Sequence, residues 1–351
     1  MISIAPTVAT KMASEAREAP ALCLAQLRLN AGLMREAGKR LRDLAPPFAA
    51  TLARGSSDQA AGFAKFLLET RVGLPTVSHA PSIGSLYQAT SKHFRDVPLI
   101  AISQSGRSPD LLAAAQDAKL RGAVVVAVVN DAASPLADLA DIVIPVHAGT
   151  ETSVAATKSF VCTLFALAHL AAEWSGDAEL LAALTHAGPV LEQAAQADWS
   201  AAVPLLLAAE EMLVLGRGPT LTIAGEAALK LKETSSLHAE AFSSAEVAHG
   251  PMTLVGAGDP VLAFAPLDAA REGLKDRLAD FAARGARVIA AGLPEDTASA
   301  ELVLPFDADV HPIIGAIAQI QSFYGLANGL ALARGCNPDN PPHLNKVTRT
   351  L

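Results

Sequence analysis

The chain has 351 residues, 51% of them hydrophobic and 18% charged, with 24 Gly and 22 Pro spread along it. This excludes a disordered or collagen-like protein, and at ~150 residues per domain the length points to two domains. A formal net charge of -8 leaves no basic excess to neutralise a phosphate backbone, so no nucleic-acid partner is expected.

In chain order, Lys11, Glu15, Arg17 and Glu18 interrupt the start, which lacks the basic and then apolar character of a secretory signal. Residues 1–35 read as a helical segment. A first domain over 36–185 shows short apolar runs alternating with helical stretches, the pattern of parallel strands joined by crossover helices, so the fold class is α/β. Its strand candidates are Ala49 to Ala53, Thr76 to Ser78, Pro98 to Ser103, Ala123 to Val129 and Asp141 to Val146, which make a five-stranded sheet. Val124 to Val129 is apolar at every position, so helices should cover both faces. Phe160 to Trp199 reads as helices broken at Gly176, Asp177 and Gly188. In a second domain over 198–338, strands restart at Met212 to Leu215, Val261 to Ala265, Arg287 to Ala291 and Leu302 to Phe306. The repeated order indicates a duplication. The sharpest internal match sets Ala53-Arg54-Gly55-Ser56-Ser57 beside Gly216-Arg217-Gly218-Pro219-Thr220. A tail over 339–351, with Pro338, Pro341 and Pro342 around its start, cannot be a regular helix. The longest apolar stretches fall short of the ~20 residues that cross a bilayer, so no membrane association is expected. Cys23, Cys162 and Cys336 are odd in number and far apart, which fits a reducing cytoplasm.

Ligands of an open parallel sheet settle beyond the carboxyl ends of its strands. Two loops there stand out, Gly55-Ser56-Ser57-Asp58 and Ser103-Gln104-Ser105-Gly106-Arg107-Ser108, each running into a helix. Their hydroxyls and free N–H groups suit a phosphate ester, or they are plain helix caps. Three hydroxyls at Ser103, Ser105 and Ser108 exceed what one cap uses. Neither loop has a Walker lysine or a dinucleotide glycine pattern, so a monophosphate ester fits better than a nucleotide. On the helix after Gly218, Glu226, Lys230 and Glu233 share one face. That spacing serves a surface ion pair, or a cleft carboxylate that moves protons. His249 precedes Gly250-Pro251 on a loop. The histidines and cysteines have no metal-ligand spacing, so no metal is expected.

These motifs, in this order, resemble the tandem sugar isomerase (SIS) domain family, which includes the isomerase half of glutamine-fructose-6-phosphate aminotransferase and the ammonia-releasing glucosamine-6-phosphate deaminases. The resemblance spans nearly the whole chain. It rests on Arg54-Gly-Ser-Ser57, Ser103-Gln-Ser-Gly106, Val154-Ala-Ala-Thr-Lys-Ser-Phe160, Glu226 to Glu233, His238-Ala-Glu-Ala-Phe242, His249-Gly-Pro251 and Asn345-Lys-Val-Thr348. It implies two tandem three-layer α-β-α domains, each with a five-stranded, mostly parallel, flavodoxin-like sheet. It further implies that Ser57, Ser103, Gln104, Ser105 and Ser108 hold a sugar phosphate, with Ser56 and Val154 beside them. By the same resemblance Glu233 is the base that moves a proton between C1 and C2, and His249 opens the sugar ring. Lys346 matches a tail lysine that forms a Schiff base in the aminotransferases, and Glu226 and Lys230 are supporting residues. The family's equivalent of His249 reaches a neighbouring subunit, so a homodimer is implied, with a small amino sugar phosphate as substrate and no cofactor.

Departures from the aminotransferase pattern shape the expected activity. Met1 leads directly into the segment before the isomerase part, so the chain is not expected to draw ammonia from glutamine. Ala156 stands where the aminotransferases carry Ser, and Arg107-Ser108-Pro109 is similar to the stand-alone deaminases. The expected reaction is conversion of glucosamine 6-phosphate to fructose 6-phosphate plus ammonia. The alternatives are an aldose-ketose isomerase, a fructosamine-phosphate deglycase and a glutaminase-less aminotransferase subunit. A sugar-phosphate sensor would need a helix-turn-helix segment, for which no room is expected before Leu44 or after Gly335.

Overall fold

A computed structural model describes residues 10–87, 89, 93–307 and 309–346. Helix α1, Lys11–Leu44, opens it, with the Thr10 hydroxyl accepting the Ala13 N–H as the cap. The boundary expected between residues 35 and 36 falls inside this helix. Met12, Ala19, Cys23, Met34 and Leu41 form an unbroken buried stripe along it, and an amphipathic face seated on the core along its length leaves no exposed break for a linker.

The first sheet contains β1 (Ala49–Leu52), β2 (Thr76–Ser78), β3 (Pro98–Ser103), β4 (Val124–Val129) and β5 (Ile142–Pro145). The second contains β6 (Glu211–Gly216), β7 (His238–Ser243), β8 (Pro260–Phe264), β9 (Arg287–Ala291) and β10 (Leu302–Leu304). Every pairing is parallel. The orders β2-β1-β3-β4-β5 and β10-β9-β8-β6-β7 are one flavodoxin-like topology used twice. β7 is the strand that apolar runs do not announce. It lies at a sheet edge with His238 and Glu240 exposed and Ala239 buried, and a half-solvated edge needs no continuous apolar sequence.

The helices after α1 are α2 (Ser56–Leu67), α3 (Pro81–Ser85), α4 (Pro109–Leu120), α5 (Pro135–Leu139), α6 (Lys158–Ser175), α7 (Ala178–Thr185), α8 (Gly188–Gln196), α9 (Val203–Leu206), α10 (Pro219–Ser235), α11 (Arg271–Ala283) and α12 (Pro312–Ala333). One apolar core runs through both halves, from Met12 and Phe165 to Phe264 and Phe323, and a smaller cluster lies in each half. The halves meet where α2 crosses α10. A Cβ on Gly62 would lie 2.7 Å from Thr222 Cγ2, and one on Gly225 would lie 2.1 Å from Gln59 Oε1. Gln59 and Thr222 hold equivalent places in the duplicated helices, as do Gly62 and Gly225. The contact is therefore reciprocal, as two-fold packing of related elements requires. Among the described residues no helix is long and apolar enough to cross a membrane. Among them, too, no group of three or more His, Cys, Asp and Glu side chains could hold a metal ion.

Candidate active site

Strand order in the first sheet reverses between β1 and β3, and that switch point is where an open parallel sheet takes ligands. The chain leaves β1 through Arg54-Gly55 into α2, and leaves β3 through the Ser103 to Ser108 loop into α4. Gly55 stands at φ 57°, ψ -133°, and Gly218 at the matching turn of the second half stands at φ 56°, ψ -124°. A side chain is strained in that backbone conformation, so glycine marks both turns. A cavity of about 410 Å³ opens at the first turn. It is lined by Ser56, Ser57, Ser103, Gln104, Ser105, Ser108 and Val154, by Lys230 and Glu233 of the second half, and by Lys346 of the tail. A larger cleft of about 670 Å³, lined by Glu211, His238, Pro260 and Arg287, sits at the amino ends of β6 to β9, the wrong end of a parallel sheet for a ligand.

The serines combine turn-forming and ligand-facing parts. Ser103 Oγ accepts the Gly106 N–H at 3.0 Å and Ser105 Oγ accepts the Arg107 N–H at 3.4 Å, so each keeps its O–H as a donor. Ser108 occupies the cap position of α4, but its hydroxyl makes no capping bond. Two helix N-termini and these hydroxyls face one cavity, an arrangement that favours an anion.

Glu226, Lys230 and Glu233 do share one face of α10, but they are not a surface ion pair. Their side chains are 0%, 1% and 22% exposed, because α12 packs over α10 and buries them beneath residues such as Tyr324. Lys230 Nζ donates to Glu233 and lies 3.6 Å from Glu226 Oε1. Glu226 is under the cavity rather than in its lining, and neither of its oxygens has a hydrogen-bond partner among the described residues. Burial pushes its carboxyl up to about 7, with Lys230 opposing and Glu233 adding to the rise. For Lys230, burial works to lower the ammonium, but Glu226, Glu233 and Glu151 outweigh it and raise it. Burial, and then the same three carboxylates, hold the Tyr324 hydroxyl well above its ordinary value. The cluster thus offers a firm ammonium, and Glu233 is the carboxylate of α10 that meets the cavity.

Two residues that the sequence reading did not single out organise the tail. Lys346 Nζ donates to Glu151 Oε2 at 2.7 Å. The buried Glu151 carboxylate also accepts the Thr157 and Ser159 N–H groups at 3.0 and 3.1 Å and the Ser159 hydroxyl at 2.7 Å. Burial alone would raise its carboxyl, but Lys346 and these hydrogen bonds outweigh burial and hold it below the usual value. Asp339 accepts the Lys11 and Met12 N–H groups at 2.9 and 2.8 Å, at the positive end of α1. Its carbonyl accepts the Val154 N–H at 3.1 Å. The only sequence signal for Glu151 is its place just before the Val154 motif. Within the tail motif, Val347 and Thr348 lie outside the described residues. His249 ends a short 3₁₀ turn, Glu246–His249, where it is exposed and does not line the cavity of its own chain.

Comparison with known proteins agrees with this duplicated architecture. The SIS domain family matches residues 49–173 and 205–317. The chain is 36% identical over 262 residues to the isomerizing glutamine--fructose-6-phosphate aminotransferase of Zymomonas mobilis, covering 70% of this chain and 43% of that protein. It spans about half the length of the curated relatives it matches. Among solved structures, a candidate phosphosugar isomerase from Silicibacter pomeroyi is 40% identical with a TM-score of 0.89, covering 94% of this chain and 100% of that one. The C-terminal domain of glucosamine-fructose-6-phosphate aminotransferase from Francisella tularensis is 25% identical with a TM-score of 0.84, covering 95% and 99%. With both of its sheets falling in matched segments, the chain belongs to the SIS domain family.

Proposed function

We propose that the chain is a phosphosugar-converting enzyme of the aldose-ketose isomerase type. The reaction that suits its cavity best is conversion of glucosamine 6-phosphate to fructose 6-phosphate and ammonia. The observation that carries this reading is the meeting, in one cavity, of the serine loops with Glu233 and Lys346. A phosphate ester at the loops would present the sugar carbons to α10. His249, supplied by a second copy of the chain, opens the ring and exposes the C1 aldehyde. Glu233 then takes the C2 proton as the aldehyde oxygen gains one from water, giving an enolamine, and returns it to C1 as the nitrogen gives a proton to water, which leaves a C1 alcohol and a C2 imine. Water adds at C2, the C–N bond breaks and ammonia leaves. Lys346, an ammonium against Glu151 at rest, polarises the sugar oxygen, or forms an imine once it has lost its proton.

The curated relatives named as aminotransferases and the 40% identical candidate phosphosugar isomerase support the sugar-phosphate part of the reading. The test is incubation of the purified chain with amino sugar 6-phosphates, without glutamine, while ammonia and ketose phosphate are measured. Ammonia and ketose formed together support deamination. Ketose from a hexose phosphate with no ammonia from any amino sugar moves the assignment to plain isomerisation. One well-placed general base contributes about 10²- to 10⁴-fold, so Glu233→Gln is expected to lose that much activity with binding largely kept. Full activity in that variant removes Glu233 from the mechanism. The part given to His249 fails if sedimentation shows an active monomer.

A further inference from the structure

We propose that Arg54 is a specificity-determining residue that recognises the phosphate dianion of the substrate, aimed by the buried carboxylate of Asp110. The inference rests on the sugar-phosphate reading of the cavity and adds the residue that selects for the ester. Arg54 is the last residue before Gly55 and lines the same cavity as Ser56, Ser57 and the Ser103 loop. The other cations in that lining, Lys230 and Lys346, are each paired with a carboxylate outside the serine loops, Glu233 and Glu151. Arg107, in the serine loop itself, pairs with Asp131 at 2.7 Å and does not line the cavity. Arg54 is therefore the cation of the described lining that sits on the same strand-to-helix turn as the hydroxyls.

Its geometry resembles an aimed group rather than a closed ion pair. Nε and Nη2 both donate to a single oxygen, Asp110 Oδ2, at 3.2 and 3.1 Å. The Asp110 side chain is 2% exposed and that of Arg54 is 52% exposed. Asp110 lies in the first turn of α4, so the arm that holds the guanidinium is built into the helix whose N-terminus faces the cavity. A guanidinium has five donors, and the remaining three have no partner among the described residues. Planar, fixed donors of this kind match the oxygens of a phosphate, and a flexible lysine does not reproduce them.

Asp58 defines the size of the effect. It lies in the first turn of α2, where partial desolvation raises its carboxyl and the charge of Arg54 opposes the rise. Arg54 thus faces two carboxylates, Asp58 on α2 and Asp110 on α4. Without the guanidinium Asp110 would lose its ion-pair partner and stand as a negative charge in the first turn of α4, whose N-terminal loop lines the cavity. Loss of Arg54 removes an attraction and uncovers a repulsion together.

The experiment is calorimetric titration of the whole chain with inorganic phosphate and with glucosamine 6-phosphate, for wild type, Arg54→Ala and Arg54→Lys, with melting temperatures in parallel. Charge-assisted hydrogen bonds of this type correspond to about 10- to 100-fold in affinity. Arg54→Ala is expected to weaken both ligands by that factor, and Arg54→Lys by less. Affinities within about twofold of wild type in Arg54→Ala overturn the proposal. A lowered melting temperature with unchanged affinity overturns it equally, since Arg54 is then only a tie to Asp110. Failure of the wild type to bind either ligand overturns the sugar-phosphate reading itself, and this inference with it.

Discussion

Two buried carboxylates are shifted in opposite directions, and the difference is set by what each can pair with. Glu226 has no hydrogen-bond partner among the described residues, and burial raises it to about 7 from an ordinary 4.5. Between those values the folded chain holds a proton that the unfolded chain has released, so the stability from this group falls as pH rises through that window. An infrared carbonyl stretch of a protonated carboxyl is expected at pH 6, lost as pH rises through 7 and absent in Glu226→Gln. No such band at pH 6 would mean that Lys230 is balanced by two anions. Glu151 is lowered by Lys346 and three hydrogen bonds, so its contribution is present above its ordinary value and lost as pH falls. At this scale the serines and the Glu226 to Glu233 spacing were legible, because their partners are a few residues away. Glu151 and Asp339 were not, since their partners Lys346 and Lys11 lie 195 and 328 positions off.

The crossing of α2 and α10 decides where the carboxylates stand relative to the serine loops. Glu226, Lys230 and Glu233 ride on α10, which the contacts of Gly62 and Gly225 place against α2. Glycine to alanine in a helix gains about 1 kcal/mol of propensity, whereas forcing a methyl into a packed interface costs about 1 to 3 kcal/mol. At Gly62 the obstacle is the Cγ2 of a β-branched threonine, which cannot swing away. At Gly225 it is the amide end of Gln59, which can. Gly62→Ala is therefore expected to lower stability by up to about 2 kcal/mol in urea denaturation and to reduce turnover by displacing α10, with Gly225→Ala near neutral in stability. Equal effects of the two would show that the helices slide freely. Nine of the ten strands were visible as apolar runs; β7 was not, because an edge strand shares its burial with solvent.

For the whole molecule, one core joins the halves, with α1, α6, α10 and α12 all contributing to it. The halves are then expected to unfold together. Far-ultraviolet circular dichroism and fluorescence of the buried Trp174 and Trp199 should give coincident transitions in urea, since one shared core leaves no low-energy way to lose half of it. Two separated transitions would show independent domains. The α/β class, the duplication and the loops that line the candidate cavity were determined by the sequence alone, because hydrophobic period, glycine at a strained turn and hydroxyls at helix starts are local properties. Only the tertiary structure decided that Glu226 and Lys230 are buried, that Glu151 holds Lys346, that α1 runs through the expected boundary and that His249 stands apart. Burial and long-range pairing depend on which surfaces meet, and spacing along the chain carries no information about that.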